Sequence, residues 1–396
     1  MLVYPGDRHV AQYRLPALRA GTGLGRGTPL EEPFEKHPGH GRPTSVTTIA
    51  FLGLGAAAQA IHLPACHSIR SLQVVAGADP CEESRSQFGR KAPHLALYAS
   101  ASELLDAVQP DWVLVAAPPS HHAALCIQAL EAGAHVFCEK PFVEASGEAE
   151  AILEASEKAG RVVAVNLEFP SMPIHAALIE AARTQVHGPP LLLSAWQTMR
   201  MPPEEAQTWR GEGKSMQEFG THVVSLAHEV FGSWPRSVAA RMPKSALGPG
   251  DLVDIVTLEF PCGGVANLVL NRVCSGRHRY LDLRLDTPER SLRSSIGGRA
   301  RASVSISPGK KTPRLEVDLA RGGMAWIEEA AGRQVLARNP DEVFMHSTGL
   351  HLSQVIKAVA QGEQPRWDAR DAVQVVRVVE AAYRAAEEGR VINLDG

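Results

Sequence analysis

The chain has 396 residues, of which 44% are hydrophobic and 21% charged, and its formal net charge is -3. That length exceeds what one core organises and predicts two domains, while the composition excludes a disordered chain. The small net charge offers no field for nucleic acid, and no apolar run approaches the roughly 18 to 20 residues that span a bilayer. The expected partner is therefore a small molecule. The six cysteines have neither CxxC nor another metal-ligand spacing. Reduced thiols, a cytoplasmic location and no metal are expected.

Residues 1–46, rich in Gly, Pro, Arg and His, show neither helical nor strand periodicity and read as a flexible extension dispensable for chemistry. From Thr47 short apolar runs, "TTIAFLGLG", "LQVVAGADP", "DWVLVAAPP", "AHVFCEKP" and "RVVAVNLEF", alternate with helical patterns such as "HHAALCIQALEAG". That alternation predicts parallel pairing in a doubly wound sheet over residues 47–168.

In "IAFLGLGAAAQAIHLPA" a strand is followed by Gly53, Gly55 and Ala58 in a G-x-G-x-x-A array that opens a helix. The glycines permit a tight turn and close backbone approach, Ala58 lets helix and strand pack, and the helix start offers N–H groups to a pyrophosphate. Asp79 closes the second strand, where its carboxylate suits the ribose hydroxyls of NAD, with NADP possible. Methyltransferases share both features, so these alone leave the reaction open. Further on, "PPSHH" supplies Pro118, Pro119, Ser120, His121 and His122. The prolines end a strand, Ser120 can cap the next helix, and the histidines are either solvated or face a cleft. "ALEAGAHVFCEKP" ends a strand at Glu139, Lys140 and Pro141, on the carboxyl edge where open α/β sheets bind ligands. "VNLEFP" brings Asn166 and Glu168 to the same edge.

After Pro170 the alternation stops, and residues 169–396 read as an α+β domain. Trp209 and Arg210 precede its main helix on a loop, placed to stack on a substrate ring and bind its polar groups, or to pack between domains. In "KSMQEFGTHVVSLAHEVFG" Glu218, His222, Ser225 and Glu229 form a polar stripe beside an apolar one of Phe219, Val223, Leu226 and Val230. Ser215 and Glu218 also match a capping box, so Glu218 has two readings. "LVDIVTLEF", "GGVANLVLNRV", "RYLDLRLD" and "ARASVSIS" predict an antiparallel sheet. The basic run from Arg290 to Arg314 lacks aromatic platforms and reads as a solvated face. "DAVQVVRVVEAAYRAAEEG" is an amphipathic packing helix.

The segments "GLGAAAQAIHLPAC", "VLVAAPPSHHAALCIQALEAGAHVFCEKP", "VAVNLEFP", "MQEFGTH", "DIVTLEFPCGGVANL" and "EAAYRAAEEGRVINL" occur in that order from about Ile49 to the end. Together they resemble the Gfo/Idh/MocA oxidoreductases, the glucose-fructose oxidoreductase and inositol dehydrogenase family. The resemblance implies an N-terminal Rossmann domain and a C-terminal α+β domain with an open, mostly antiparallel sheet that joins homodimers or homotetramers. It also implies NAD(P)-dependent hydride transfer at a secondary alcohol or carbonyl of a sugar, cyclitol or related metabolite. Carried over by residue, Gly53, Gly55 and Ala58 hold pyrophosphate and Asp79 takes the ribose, while Pro118, Pro119 and His122 line the nicotinamide side. Glu139, Lys140 and Pro141 form the loop where cofactor meets substrate, and Asn166 lies in the same cleft, while Trp209, Arg210 and Glu218 are candidate substrate contacts on the residue readings above. Lys140 stabilises the oxyanion, and His222, of ordinary pKa near 6.5, is the acid/base. Glu218 and Ser225 depart from the family's D-x-G-x-H-x-x-D, and Glu168 stands where arginine is common, which moves the substrate away from inositol or glucose. A non-catalytic dinucleotide-binding regulator and a redox-neutral, NAD-retaining glycoside-cleaving enzyme are the alternatives.

Overall fold

Parallel strands buried on both faces need continuous apolar runs, and such runs form the first sheet apart from its short edge strand, Ala96–Tyr98. The computed structural model describes residues 46–200, 215–243, 250–275, 279–297, 299–305, 314–320, 322–329 and 332–394. Its first six strands are β1 (Thr47–Leu52), β2 (Leu72–Ala78), β3 (Ala96–Tyr98), β4 (Trp112–Val115), β5 (His135–Cys138) and β6 (Val163–Val165). They lie parallel in the order β3-β2-β1-β4-β5-β6, so the winding reverses between β1 and β4. A π-helical turn (Ala58–His62) leads into α1 (Leu63–His67), followed by α2 (Glu82–Lys91), α3 (Ala101–Val108), α4 (His122–Glu131) and α5 (Ser146–Ala159). This is the dinucleotide-binding arrangement that the strand and helix alternation predicts.

After α6 (Pro173–Thr184), β7 (Leu192–Thr198) starts a second sheet, and a π-helical turn (Met216–Gly220) opens α7 (Thr221–Phe231). Then come β8 (Ser237–Arg241), β9 (Val253–Glu259), β10 (Val265–Asn271), β11 (Arg279–Asp286), β12 (Ser291–Ile296), β13 (Arg299–Ser305), β14 (Arg314–Ala320), β15 (Gly323–Glu329) and β16 (Gly332–Arg338). The chain ends through α8 (Val343–Ala360), α9 (Ala369–Glu388) and β17 (Ile392–Asn393). The order β16-β15-β12-β11-β7-β10-β9-β8-β17 is antiparallel except for the parallel pair β7 and β10. The stretch "ARASVSIS" differs from expectation. Its described residues 300–305 lie in β13, which among the described residues pairs with β14 in a two-stranded ribbon and not with the main sheet.

In β9 and β10 buried and more exposed residues alternate, because only one face of this sheet is covered by helices, α6 and α9 among them. The helix α9 also packs on α5 and β6, so it binds both sheets into one core. Its lead-in covers the free edge of the first sheet: Val165 N–H donates to Trp367 O at 2.9 Å, and Ala164 bridges Asp368. Asp368 caps α9 by accepting the N–H groups of Arg370 at 2.8 Å and Asp371 at 3.1 Å. Gly389, with φ 69°, ends it. Asp368→Ala should lower unfolding free energy by about 1 to 2 kcal/mol in a urea titration. An unchanged midpoint would show that the cap contributes nothing to this helix.

Candidate active site

The carboxyl ends of β1 and β4 flank the crevice where the strand order reverses, the place where open α/β sheets bind ligands. Gly53 leaves β1 with φ 93°, and a Cβ there would lie 2.6 Å from the carbonyl carbon of Ala116. Only glycine fits between the two strand ends. A Cβ on Gly55 would meet nothing within 4 Å, so its backbone is open to a phosphate group. Ala58 is fully buried at the head of the following turn. Asp79 accepts the N–H groups of Leu54 and Cys81, each at 2.8 Å. The acidic residue expected at the ribose thus also fixes the glycine turn, and about half of its lone-pair positions remain for hydroxyls. The open cradle at Gly55 and the half-satisfied Asp79 fit the diphosphate and ribose of NAD.

The end of β5 delivers Glu139. Its Oε1 lies 2.7 Å from His62 Nε2 and accepts from Asn166 Nδ2 at 2.6 Å, while its Oε2 accepts the Lys140 N–H at 3.1 Å. Asn166 Nδ2 also lies 3.3 Å from Thr348 Oγ1 on α8. Burial raises the pKa of Glu139, but the His62 ring, the Lys140 charge and the Asn166 hydrogen bond outweigh it and hold the carboxyl at about 2. His62 escapes sequence reasoning: one histidine on an apolar helix gives no hint of its partner 77 positions away.

The peptide bond from Lys140 to Pro141 is cis. His122, expected either in solvent or on the nicotinamide side, is fully buried instead. Its Nδ1 lies 3.0 Å from Pro141 O and 2.9 Å from Phe142 O, and its Nε2 lies 2.8 Å from Ala117 O. The ring therefore clamps the loop after β5 to the end of β4, and burial lowers its pKa. Pro118 is exposed, and Pro119 begins the short turn Pro119–His121.

Lys140 reaches the second domain, where its Nζ donates to Glu218 O at 3.4 Å and lies 5.8 Å from the centre of the Phe219 ring. The Glu218 carboxylate faces Arg272 at 3.1 Å, with both side chains buried. The expected capping box is not formed. Ser215 itself has helical dihedrals, and Asp251 accepts the N–H groups of Ser215 and Met216 at 3.0 Å each, steadied by the Tyr383 hydroxyl at 3.0 Å. Asp251 comes from a remote segment and supplies a full carboxylate, leaving Glu218 to Arg272. Arg272, also missed from the sequence, was signalled only by a lone basic residue ending an apolar strand.

His222 is 2% exposed and stacks on Phe169 with ring centres 3.8 Å apart and an interplanar angle of 12°. Burial pushes its pKa well below 6.5, and the neighbouring Lys140 and His175 push it the same way. The rest of the polar stripe serves the scaffold: Ser225 Oγ donates to His222 O at 2.9 Å, and Glu229 pairs with Arg183 and Arg366. Glu168 is 5% exposed, with its pKa raised to about 8 by burial and by the Glu139 charge. Trp209 and Arg210 lie outside the described residues. Among the described residues no three His, Cys, Asp or Glu side chains gather as a metal site. An apolar pocket of about 240 Å³ borders Lys140 on its α9 side, but none of Glu139, Asn166, Glu168 or His222 lines it. The polar chemistry therefore sits elsewhere, between the first sheet and α7.

A glycine-turn crevice facing a second, open-sheet domain defines a two-domain, dinucleotide-dependent oxidoreductase. Residues 47–167 match the model of the Gfo/Idh/MocA oxidoreductase family, NAD-binding Rossmann fold, and residues 327–394 match its C-terminal alpha/beta domain. Both ends of the described chain thus match models of that family. D-apiose dehydrogenase of Paraburkholderia graminis is 27% identical over 84% of this chain and 86% of its own length. A D-xylose 1-dehydrogenase (NADP(+)) of Haloferax volcanii is 25% identical over 75% and 85%. The crystal structure of an Agrobacterium radiobacter oxidoreductase with NAD+, L-tartaric acid and magnesium superposes with a TM-score of 0.74 at 17% identity, covering 88% of this chain and 98% of that one. The last comparison shows the shared fold.

The two glycines should separate stability from cofactor binding. Gly53→Ala should destabilise the protein by more than about 1 kcal/mol, because its backbone conformation and its surroundings both exclude a methyl group. Gly55→Ala should leave unfolding within about 0.5 kcal/mol of wild type yet weaken NAD binding measured by calorimetry. Equal effects of the two changes on both readouts would contradict this division.

Proposed function

We propose that this chain uses NAD to oxidise a secondary alcohol of a sugar, cyclitol or related small metabolite, or reduces the matching carbonyl. The observation that carries the proposal is the meeting of Lys140 with the first turn of the helix that bears His222, beside the glycine turn. Bound NAD supplies the hydride acceptor. Deprotonating the hydroxyl requires a base within hydrogen-bond reach, and a buried His222 of depressed pKa is uncharged at neutral pH and able to accept that proton. The Lys140 ammonium stabilises the oxyanion that develops on the same oxygen. Asn166, through Glu139, holds the loop that carries Lys140, so it positions the lysine as well as bordering the cleft.

Asp79 supports NAD over NADP, because a 2′-phosphate would meet its carboxylate. NADP remains the second cofactor to assay, since the Haloferax relative is named for it. The division at residue 168 belongs to the same proposal, as does assembly through the open sheet. Across β7, β10 and β9, Trp196, Val269 and Ile255 stand in one register row, with Trp196 and Ile255 37% and 49% exposed. A second copy of the chain would cover that apolar row.

NADH formation against a panel of sugars and cyclitols tests the proposal. Lys140→Ala and His222→Ala should each lower kcat by about a hundredfold to ten-thousandfold while NAD still binds. The acid limb of kcat/KM should lie below pH 6.5, since protonating His222 removes the base and its pKa is depressed. Full turnover in either variant, or a limb set by His222 above 6.5, would reject these roles.

A further inference from the structure

Among the described residues of the cleft, Glu168 is an acidic group that forms no ion pair, held only by its own backbone N–H and the more distant Lys140 charge. Glu139 is held by His62 and Asn166, and Glu218 faces Arg272 at 3.1 Å. Glu168 instead has a buried Oε2 with no hydrogen-bond partner, and none of its contacts is a lysine or arginine ion pair among the described residues. It lies within electrostatic reach of Glu139 and Lys140 and immediately precedes Phe169, the ring against which His222 is stacked. The carboxyl thus sits among the groups that would surround the reacting carbon.

The Oε2 of Glu168 is buried with no hydrogen bond, and the backbone N–H and the Lys140 charge offset only part of the cost of taking the ionised carboxyl out of water. The missing partner is then a group brought by the ligand. A hydroxyl offers a single neutral donor, whereas an ammonium offers three donors and the opposite charge, which doubles the strength of the hydrogen bond and answers the excess carboxyl. Lys140 is the nearby cation, but its Nζ donates to Glu218 O and forms no ion pair with Glu168, so its charge lowers the Glu168 pKa less than burial and Glu139 raise it. Without a ligand Glu168 holds its proton, since burial and the Glu139 charge raise its pKa to about 8. An incoming ammonium makes the ionised form the favourable one.

We infer that Glu168 recognises a protonated amine, so that the substrate of this site is an amino sugar or aminocyclitol. This rests on the proposed dehydrogenase reading and narrows its substrate class. The test pairs amine with hydroxyl on one scaffold: glucosamine with glucose, galactosamine with galactose, and scyllo-inosamine with scyllo-inositol. Binding to the NADH-loaded protein is measured by calorimetry and NADH formation with NAD by absorbance, in wild type and in Glu168→Gln, an isosteric change checked by melting and by NAD affinity.

At least one amine should bind about tenfold to a hundredfold more tightly than its hydroxyl partner, and Glu168→Gln should bring that ratio close to one. Equal binding within every wild-type pair overturns the inference whatever the variant does, and so does an amine preference that survives in Glu168→Gln. Amine-selective binding lost in the variant but with no NADH formed upholds amine recognition and removes the dehydrogenase reading. NADH formed from neutral sugars with no amine preference does the reverse.

Discussion

The site depends on one partly buried charge. Glu139 follows strand β5 and is ionised because His62, Asn166 and the Lys140 backbone surround it with hydrogen bonds. Leaving such a carboxylate with fewer partners would cost several kcal/mol, so the three segments that supply them are held together. His62 lies on the turn after the glycine loop, Asn166 follows β6, and Lys140 starts the loop that crosses to α7. A single carboxylate therefore joins the cofactor turn, the sheet edge and the lysine. The buried His122 ring lies between carbonyls of the β4 and β5 exits on the far side of the same loop, and its neutral form donates to one of the two sides. With the loop fixed from both sides, the placement of Lys140 follows from the scaffold and not from its own flexible stem.

The second domain meets this loop with a helix that is buried nearly all round. Residues that look like a polar stripe in sequence diverge once packed: Glu229 draws in Arg183 and Arg366, Ser225 returns to the backbone, and Glu218 turns to Arg272. Only His222 keeps an imidazole without a charged partner, stacked on Phe169 and made less basic by its burial. Desolvation thus does for His222 the opposite of what the ion pairs do for Glu139. It keeps the ring neutral, while hydrogen bonds keep the carboxyl charged. Two groups in one cleft are thus held at opposite extremes of their titration.

The sequence was most legible where the physics is local. Continuous apolar runs announced five of the six parallel strands, all but the short, more exposed β3, and the glycine spacing announced the turn after β1, since both follow from backbone geometry within a dozen residues. Gly53 and Gly55 look alike in sequence, however, and only the approach of Ala116 tells the steric glycine from the open one. The strands β13 to β16 were poorly legible, because edge hairpins on a half-open sheet carry weaker alternation, and β13 in fact pairs outside the sheet. The capping box failed for a related reason: a local motif competes with remote carboxylates, and Asp251 outcompeted Glu218 for the helix start. His62 and Arg272 could not be paired in advance, because long-range partners of buried charges leave no spacing signature.

The role of Glu139 is tested most directly by rapid mixing of NAD-loaded Glu139→Gln with an oxidisable sugar or cyclitol. Removing the charge while keeping the shape leaves His62 and Asn166 without their anion, so hydride transfer should slow and NAD affinity should fall together, through the one loop and turn that Glu139 joins. Hydride transfer and NAD binding that both match wild type would contradict the account.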